Sequence, residues 1–460
     1  MLSFLVNFLF KMSLRFSKYI LPLSLAVVLS SCEIFGPGQG IFTSPSPHEK
    51  YAQSLKTANL DKTALGALWM AASERSLHDS LLITLPYRES GYFPAQSPFA
   101  VGYRVQAERG DVLLIGVTVQ GRDLPDVGDT KVFVDVFELD DQQRPSRVLS
   151  AKADTTGLRW EVKRSRTHLI RIQPELLRSG RYTLSITRDP LLAFPVEGRS
   201  SKQISSFWGA NRDGGRRSHE GIDIFAPRGT PALAAINGYV SRVGTNNLGG
   251  NIIFLSDQAH GINLYYAHLD SFNVAQGKRV QLGDTLGFVG NTGNARTTGT
   301  HLHFGIYESG TGAINPLPFI RASLGEPTQK LPDADALGDT VRLTTNSPLR
   351  VAPTSRATTV EALDRNQVVQ VLGGSAAWVR VRTPHETEGY LPVKVVRDAG
   401  TPVHQAQVPA QMPIYDEAYP DAAVYHILTE SSSLPVLGTQ GEFKLVELNK
   451  SGAKGWIRQE

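Results

Sequence analysis

Residues 299–304 read Gly299-Thr300-His301-Leu302-His303-Phe304, and this short run decides how the middle of the chain is built. Successive side chains of a β-strand point to opposite faces, so His301 and His303 share one face. Leu302 and Phe304 then face a core. A strand that buries one side and shows two imidazoles on the other is a costly arrangement unless the histidines bind or catalyse. Upstream, Asn263-Leu264-Tyr265-Tyr266-Ala267-His268 is another strand-like run, which a neighbouring strand could bring to the same face. Further upstream stands His219-Glu220-Gly221-Ile222-Asp223. His-x-x-x-Asp could place both groups on one helix face, but Gly221 and Pro227 argue for a loop running into a strand.

These three motifs thus supply four histidines and one aspartate within residues 219–303. Neutral imidazole and carboxylate are the ligands zinc takes when thiolate is absent, and a catalytic zinc keeps one position open. The pattern differs from the helical His-Glu-x-x-His site, so Glu220 is not assigned the role of general base. The segment is rich in glycine, from Gly238 to Gly299, as expected for tight turns and close backbone approach in a sheet protein. The remaining histidines, His48, His78, His168, His260, His385, His404 and His426, read as surface or hydrogen-bonded residues. The chain has no Gly-x-Ser-x-Gly elbow, phosphate loop or dinucleotide fingerprint.

At 460 residues, the chain is expected to form two to four folded units. Its hydrophobic content of 41% and charged content of 20% are those of a globular protein. The net charge of +4 suits a polyanionic surface, and no basic stripe or motif points to nucleic acid. The single cysteine, Cys32, excludes an intrachain disulfide and a thiolate metal site. It follows a basic stretch with Arg15 and Lys18, an apolar run from Ile20 to Leu29, and Ser30-Ser31. Residues 1–32 therefore read as a signal peptide. Leu29-Ser30-Ser31-Cys32 resembles a bacterial lipobox, with Cys32 as the lipidation site and Met12 as an alternative start. The expected location is the cell envelope, lipid-anchored to a membrane facing the periplasm or wall, with the outer membrane first.

The fold expected is mainly β and multidomain. Residues 33–77 read as a tether and a helical segment, with Asp61 as N-cap and Leu65, Leu68, Trp69 and Ala72 at helical spacing. Residues 78–195 read as a β-sandwich module, with strands around 112–119, 131–137, 168–172 and 181–186. Residues 196–203 look like a linker, the histidine-bearing domain spans 201–325, and 325–336 marks the next boundary. Residues 337–398 and 403–460 form a duplicated small barrel. Leu349–Pro353, Val371-Leu372-Gly373, Trp378–Val381 and Gly389-Tyr390-Leu391 recur as Met412–Tyr415, Val436-Leu437-Gly438, Phe443–Val446 and Gly455-Trp456-Ile457. Both copies resemble bacterial SH3-like domains, which in wall hydrolases commonly help bind the wall.

Residues 204–316 resemble the M23 (lysostaphin/LytM-type) zinc metallopeptidases. The resemblance is carried by Ile204–Gly209, His219–Asp223, Tyr266-Ala267-His268-Leu269, Gly290-Asn291-Thr292-Gly293, Gly299–Phe304 and Asn315-Pro316. It implies an antiparallel-β peptidase domain, one zinc held by His219, Asp223 and His303, and His268 and His301 as the catalytic pair. The division of roles within that pair stays open. Where many relatives carry a carboxylate after His-Leu-His-Phe, this chain has Gly305. The activity implied is hydrolysis of peptide crosslinks in peptidoglycan. The competing readings are a lipid-anchored wall-binding regulator of other hydrolases, as in relatives that have lost ligands, and a metal-binding adhesin or lectin.

Overall fold

The computed structural model describes residues 44–121, 130–152, 157–327, 337–448 and 452–459. The signal segment with Met12 and Cys32, the tether up to residue 43 and boundary residues 328–336 lie outside the described residues. The described chain is mostly β, with helices concentrated near its start.

The helix Pro47–Thr57 opens on a capping box in which Ser46 and Glu49 bond each other's backbone N–H. The helix Ala64–His78 is capped by Thr63, whose hydroxyl accepts from the Gly66 N–H. The expected cap, Asp61, lies instead inside the single turn Leu60–Lys62 that precedes it. Leu68 is exposed, and the buried stripe runs through Gly66, Trp69, Ala72, Ser73 and Ser76. This stripe meets the sheet strand Val101–Ala107 so closely that a Cβ on Gly102 would lie 2.0 Å from the Ser76 carbonyl oxygen.

Between Leu81 and Pro190 two sheets enclose a core with Tyr103, Leu113, Val136, Ile170, Ile172 and Leu184 at its centre. The four strands expected from the sequence are present as Asp111–Gly121, Val132–Leu139, Arg166–Pro174 and Gly180–Pro190. The chain adds Tyr87–Phe93, Val101–Ala107, Pro145–Ser150 and Gly157–Glu161, and the two-residue strand Leu81–Leu82.

The histidine-bearing sheet runs, in spatial order, Ile204–Ser206, Ile222–Phe225, His301–Glu308, Ile262–Phe272, Gly250–Asp257, Gly238–Asn246 and Arg279–Val280. One face is closed by Ile222, Ile224, Leu264, Tyr266, Leu302, Phe304 and Ile306, each fully buried. Leu192 and Val196 join the same core, and Val196 bridges to Ala232. The first residue of the segment read as a linker is therefore packed. At its far end the His301–Glu308 strand is held by Arg109, which donates to both Glu308 oxygens at 2.9 and 2.7 Å. Arg321 likewise clasps the buried Asp111.

The C-terminal repeats share a wiring diagram. In the first, Ser347–Arg350 pairs with Thr359–Leu363, and Val368–Ser375, Trp378–Arg382 and Glu388–Pro392 form a meander. In the second, Pro413–Tyr415 pairs with Val424–Ile427, and Ser432–Gln440, Phe443–Glu447 and Lys454–Arg458 form the meander. Each closes through one matching pair, Arg350 with Tyr390 and Tyr415 with Trp456. Even the bulge is repeated, before Gly373 and before Gly438. The first repeat also extends the second sheet of the 78–195 region, because Ser90 and Gly91 pair with Gly374 and Gly373.

Candidate metal centre and active site

Register does the first part of the assembly. Ile222–Phe225 lies antiparallel to His301–Glu308 with Asp223 opposite His303 and Phe225 opposite His301. Directly opposed residues share a face, so Asp223, His301 and His303 stand together on the side away from Ile222, Ile224, Leu302 and Phe304. His219 comes from the loop before the strand, where its backbone bonds Ala210 and Gly209. Gly221 makes the loop possible. A Cβ there would lie 2.7 Å from His303 Nε2 and 2.6 Å from the Phe304 carbonyl oxygen.

The facing atoms of three residues form a small triangle. His219 Nε2 is 3.1 Å from Asp223 Oδ1 and 3.0 Å from His303 Nδ1, and the third side is 3.1 Å. His219 Nδ1 lies 2.9 Å from the Phe207 carbonyl, to which it donates. Its Nε2 therefore turns a lone pair inward. With His303 Nδ1 also unprotonated, all three atoms would offer lone pairs to a cation between them. Burial pushes the Asp223 carboxyl up, yet the hydrogen bonds and charges of His219 and His303 outweigh it and hold the group well below the usual carboxylate range. Burial lowers the His303 imidazole, opposed by Asp223. Among the described residues this is the group of His, Cys, Asp and Glu side chains arranged to hold a metal. Two imidazole nitrogens and one carboxylate oxygen suit zinc. Bonds of ~2.0–2.1 Å to a tetrahedral ion put ligand atoms roughly 3.3–3.4 Å apart, close to the spacing here. Side-chain exposure of 14% at His303 and 10% at Asp223 leaves the centre reachable from solvent.

His268 needs a different device. Ala267 is opposite His303, and Tyr266 is opposite Phe304. Strict alternation would turn His268 toward the core with Tyr266. Between these positions the pairing with Gly250–Asp257 slips, so that Ala267 and His268 oppose Ile252 alone. This is a β-bulge, and bulges re-aim side chains. His268 takes the left-handed conformation, φ +63°, held by its N–H on the Gly249 carbonyl at 2.7 Å. The imidazole then swings back to the site face, with ring centres 5.0 Å from His301 and 5.8 Å from His303.

His268 and His301 are oriented alike. Each has Nδ1 on a backbone carbonyl, Thr292 at 2.9 Å and Gly299 at 2.8 Å. Each therefore keeps Nε2 free as a proton acceptor. Burial, with the neighbouring His301 and His303, lowers the His268 imidazole to about 4. His301 Nε2 is 3.9 Å from Asp223 Oδ1, beyond hydrogen-bond reach, and its ring stacks on Phe225 at 5.0 Å. All five residues singled out in the sequence thus meet in one place.

Sequence reasoning passed over three partners. Arg212 donates to Asp223 Oδ2 and to Ser206 Oγ, each at 2.7 Å, so the carboxylate oxygen outside the triangle is fixed. Ser206 lies 3.3 Å from His219 Nδ1. Thr292 fixes the turn that orients His268, its hydroxyl donating to the Leu269 carbonyl at 2.8 Å. Arg212 gave no periodic or spacing signal, being one of several arginines in a glycine-rich loop. Glu220 lies outside the triangle, its carboxylate 3.3 Å from the Tyr307 hydroxyl. Gly305 sits opposite Tyr265, and a Cβ there would crowd the Glu220 carbonyl oxygen at 3.1 Å. A cavity of about 590 Å³ beside Leu191, Arg199, Ile236 and Leu282 shares no residue with this centre.

Known proteins resemble the chain in these regions. Residues 217–316 match Peptidase family M23, and residues 345–396 match the bacterial SH3 domain. The DD-carboxypeptidase/endopeptidase Mpg of Neisseria meningitidis is 42% identical over 119 residues, 26% of this chain and 25% of that protein. The L-Ala–D-Glu endopeptidase of Bacillus subtilis is 36% identical over 141 residues, 28% of this chain and 43% of that protein. The catalytic domain of lysostaphin from Staphylococcus simulans is 34% identical, covering 25% of this chain and 89% of that structure, with a TM-score of 0.23. The alignment to Mpg spans about a quarter of each protein. His219, Asp223, His268, His301 and His303 all fall inside residues 217–316, so the chain carries a Peptidase family M23 domain followed by a bacterial SH3 domain.

Proposed function

We propose that residues 201–325 are a zinc-dependent endopeptidase that hydrolyses peptide crosslinks of bacterial peptidoglycan. The observation that carries this reading is the triangle of His219, Asp223 and His303 with two further imidazoles, His268 and His301, beside it. The triangle would hold zinc. Bound there, zinc supplies Lewis acidity, lowering the pKa of a water and polarising a carbonyl. The rest falls to the chain. His268 and His301, each with Nδ1–H anchored on a carbonyl, can take a proton at Nε2 and return it to the leaving amine. Protonated, either would offset negative charge developing on the scissile carbonyl oxygen. Exposed Phe207 and half-exposed Phe225 flank the site and offer apolar surface to an extended peptide.

The surrounding regions are assigned supporting roles. Residues 1–32 would be a lipoprotein signal peptide with Cys32 as the acylated residue, tethering the enzyme to a membrane of the envelope, the outer membrane first. Residues 33–77 and 78–195 would be a tether with helices and a β-sandwich spacer. Residues 337–398 and 403–460 would be two SH3-like repeats that bind wall. The competing reading, an activator of other hydrolases without its own catalysis, is disfavoured because all five site positions are filled. Incubation of purified sacculi with the protein, with and without chelator, tests the choice. Release of crosslink-derived peptides that stops with chelator and returns with zinc is expected. Intact sacculi in the presence of zinc would leave only the binding role.

A further inference from the structure

The two C-terminal repeats pack directly against each other, and the cleft between them has the makings of a site. Val368 of the first repeat is buried in the core of the second with Leu437, Phe443 and Leu445. Gly438 makes room for it, since a Cβ there would lie 2.3 Å from Val368 Cγ1. Thr439 N–H donates to the Asn366 carbonyl at 2.8 Å, and Gln367 donates to Gln440 at 3.0 Å in a buried pair. Buried Arg342 reaches the carbonyls of Thr401 and Leu437. Tyr419 donates to the Pro384 carbonyl at 3.1 Å, and its ring packs on His385. These contacts hold the two barrels together around a shared cleft.

That cleft has a volume of about 310 Å³, at the lower end of the range for small-ligand pockets. Its floor is apolar, made by Val368, Leu445 and Trp456. Its rim carries Arg382 and Glu386 from the first repeat and Asp416 and Lys454 from the second. Arg382 is occupied by Glu388 at 2.8 Å and Glu386 at 3.6 Å. Among the described residues, Asp416 and Lys454 take part in no ion pair, with each other or with any neighbour. One unpaired anion and one unpaired cation over an apolar floor complement a ligand that carries both charges.

We propose that the cleft between the repeats binds a short peptide bearing a free amine and a free carboxylate, with Asp416 receiving the ammonium and Lys454 the carboxylate. Resting on the wall-hydrolase reading, this assigns the stem peptide of peptidoglycan as the occupant. The peptide would supply the recognised charges and the glycan strand would stay outside. A site built jointly by two repeats also gives a use to their direct packing, which two independent binding modules would not need.

The test uses the full chain in chelator, so that wall fragments are not cut. Calorimetric titration with muramidase-solubilised stem-peptide fragments is compared with the same glycan stripped of peptide. Peptide-bearing fragments are expected to bind and stripped glycan is not. Losing one charge-assisted hydrogen bond weakens binding about 10- to 100-fold, so Lys454→Ala and Asp416→Ala should each do so. Amidating the peptide carboxylates should weaken wild-type binding and leave Lys454→Ala unaffected. Zinc-dependent cleavage of a soluble crosslinked fragment, measured on the same variants, should be unchanged. Equal binding of stripped glycan, or unaltered affinity in both variants, overturns the cleft proposal while cleavage upholds the hydrolase reading. Loss of that cleavage in the wild type would instead remove the reading on which the occupant rests.

Discussion

Two buried polar clusters in this protein are built alike and end differently. In one, Asp223 and His303 on neighbouring strands meet His219 from a loop at about 3 Å. In the other, Glu89 meets Arg380 at 2.9 Å with both side chains fully buried, and the hydroxyls of Tyr87, Tyr103, Tyr182 and Tyr390 close around the carboxylate. The Glu89 cluster is complete in itself. Its one anion faces a guanidinium and four phenol donors, and burial and the Glu89 charge keep the phenols protonated by raising them. The His219 cluster converges three metal-ligand atoms on a side open to solvent, and with both imidazoles in the ligand tautomer those atoms all turn lone pairs inward. A closed cluster joins modules, here the 78–195 region and the first repeat. An open one with a solvent-accessible side is where chemistry can be done.

The sharpest way to break this contrast is to remove a corner of the triangle. Asp223→Ala and His303→Ala should lose zinc by elemental analysis and lose sacculus hydrolysis by more than the ~10²–10⁴-fold typical of an acid–base group. In chelator, either should lower the urea midpoint far less than breaking the closed cluster does, because the triangle keeps a side open to solvent. Retained stoichiometric zinc in Asp223→Ala would remove that residue from the ligand set. A large loss of apo stability in either variant would make the triangle a structural cluster like the other.

Next come the two imidazoles outside the triangle. His301→Ala and His268→Asn should keep zinc and lose turnover by about 10²–10⁴-fold. Asn is chosen at 268 because it tolerates the left-handed backbone. The double variant should lose less than the product of the two, since both act on one reacting centre. Metal loss in His301→Ala with metal kept in His303→Ala would exchange their roles, and full activity in both singles would leave the reaction without its base.

The closed cluster should answer in stability and leave catalysis alone. Arg380→Met strands a buried carboxylate, and breaking such a pair costs about 3–5 kcal/mol. Urea unfolding should show that loss, and Glu89→Leu combined with Arg380→Met should recover most of it. Cleavage of a soluble fragment by the folded fraction should be unaltered. A single-variant cost under about 1 kcal/mol would mean that water already reaches the cluster.

These clusters differ as much in how far the sequence reveals them. Local spacing marks the residues of the open cluster, with His-x-His on one strand face and His-x-x-x-Asp ahead of a strand, while the choice of His219, Asp223 and His303 as the triangle comes only from the family resemblance. Glu89 and Arg380 are 291 positions apart, and each is an ordinary residue in an ordinary strand. Nothing local marks them, so the joining of the sandwich to the first repeat was invisible. The repeat itself was legible from ordered motifs, down to Gly373 and Gly438, but its fusion into one body depends on Val368 entering the other barrel. His268 is the instructive middle case. Its motif identified it, while strand alternation alone would have sent it into the core. The bulge that rescues it is a long-range register effect between Ile252 and the pair at 267 and 268.

Arg212 offers the finest test, since it belongs to the open cluster and behaves like a part of the closed one. Its guanidinium fixes Asp223 Oδ2 and Ser206 Oγ, leaving Oδ1 for the triangle. An Arg that orients a ligand carboxylate should act on metal retention and spare the rate of the loaded enzyme. Loss of such an outer partner typically weakens metal binding 10- to 100-fold. Arg212→Ala should therefore show a zinc affinity lower by about that factor in competition with a chromogenic chelator, with hydrolysis at saturating zinc close to wild type. Arg212→Lys should recover only part of the affinity, because an ammonium is a point charge and lacks the planar fork that spans two acceptors. Two outcomes would each redraw the boundary between the clusters. Unchanged zinc affinity would show that Asp223 is positioned by strand register alone. A collapse in turnover at saturating zinc, with affinity intact, would move Arg212 from the support of the centre to direct contact with substrate, where its side-chain exposure of 35% leaves it within reach.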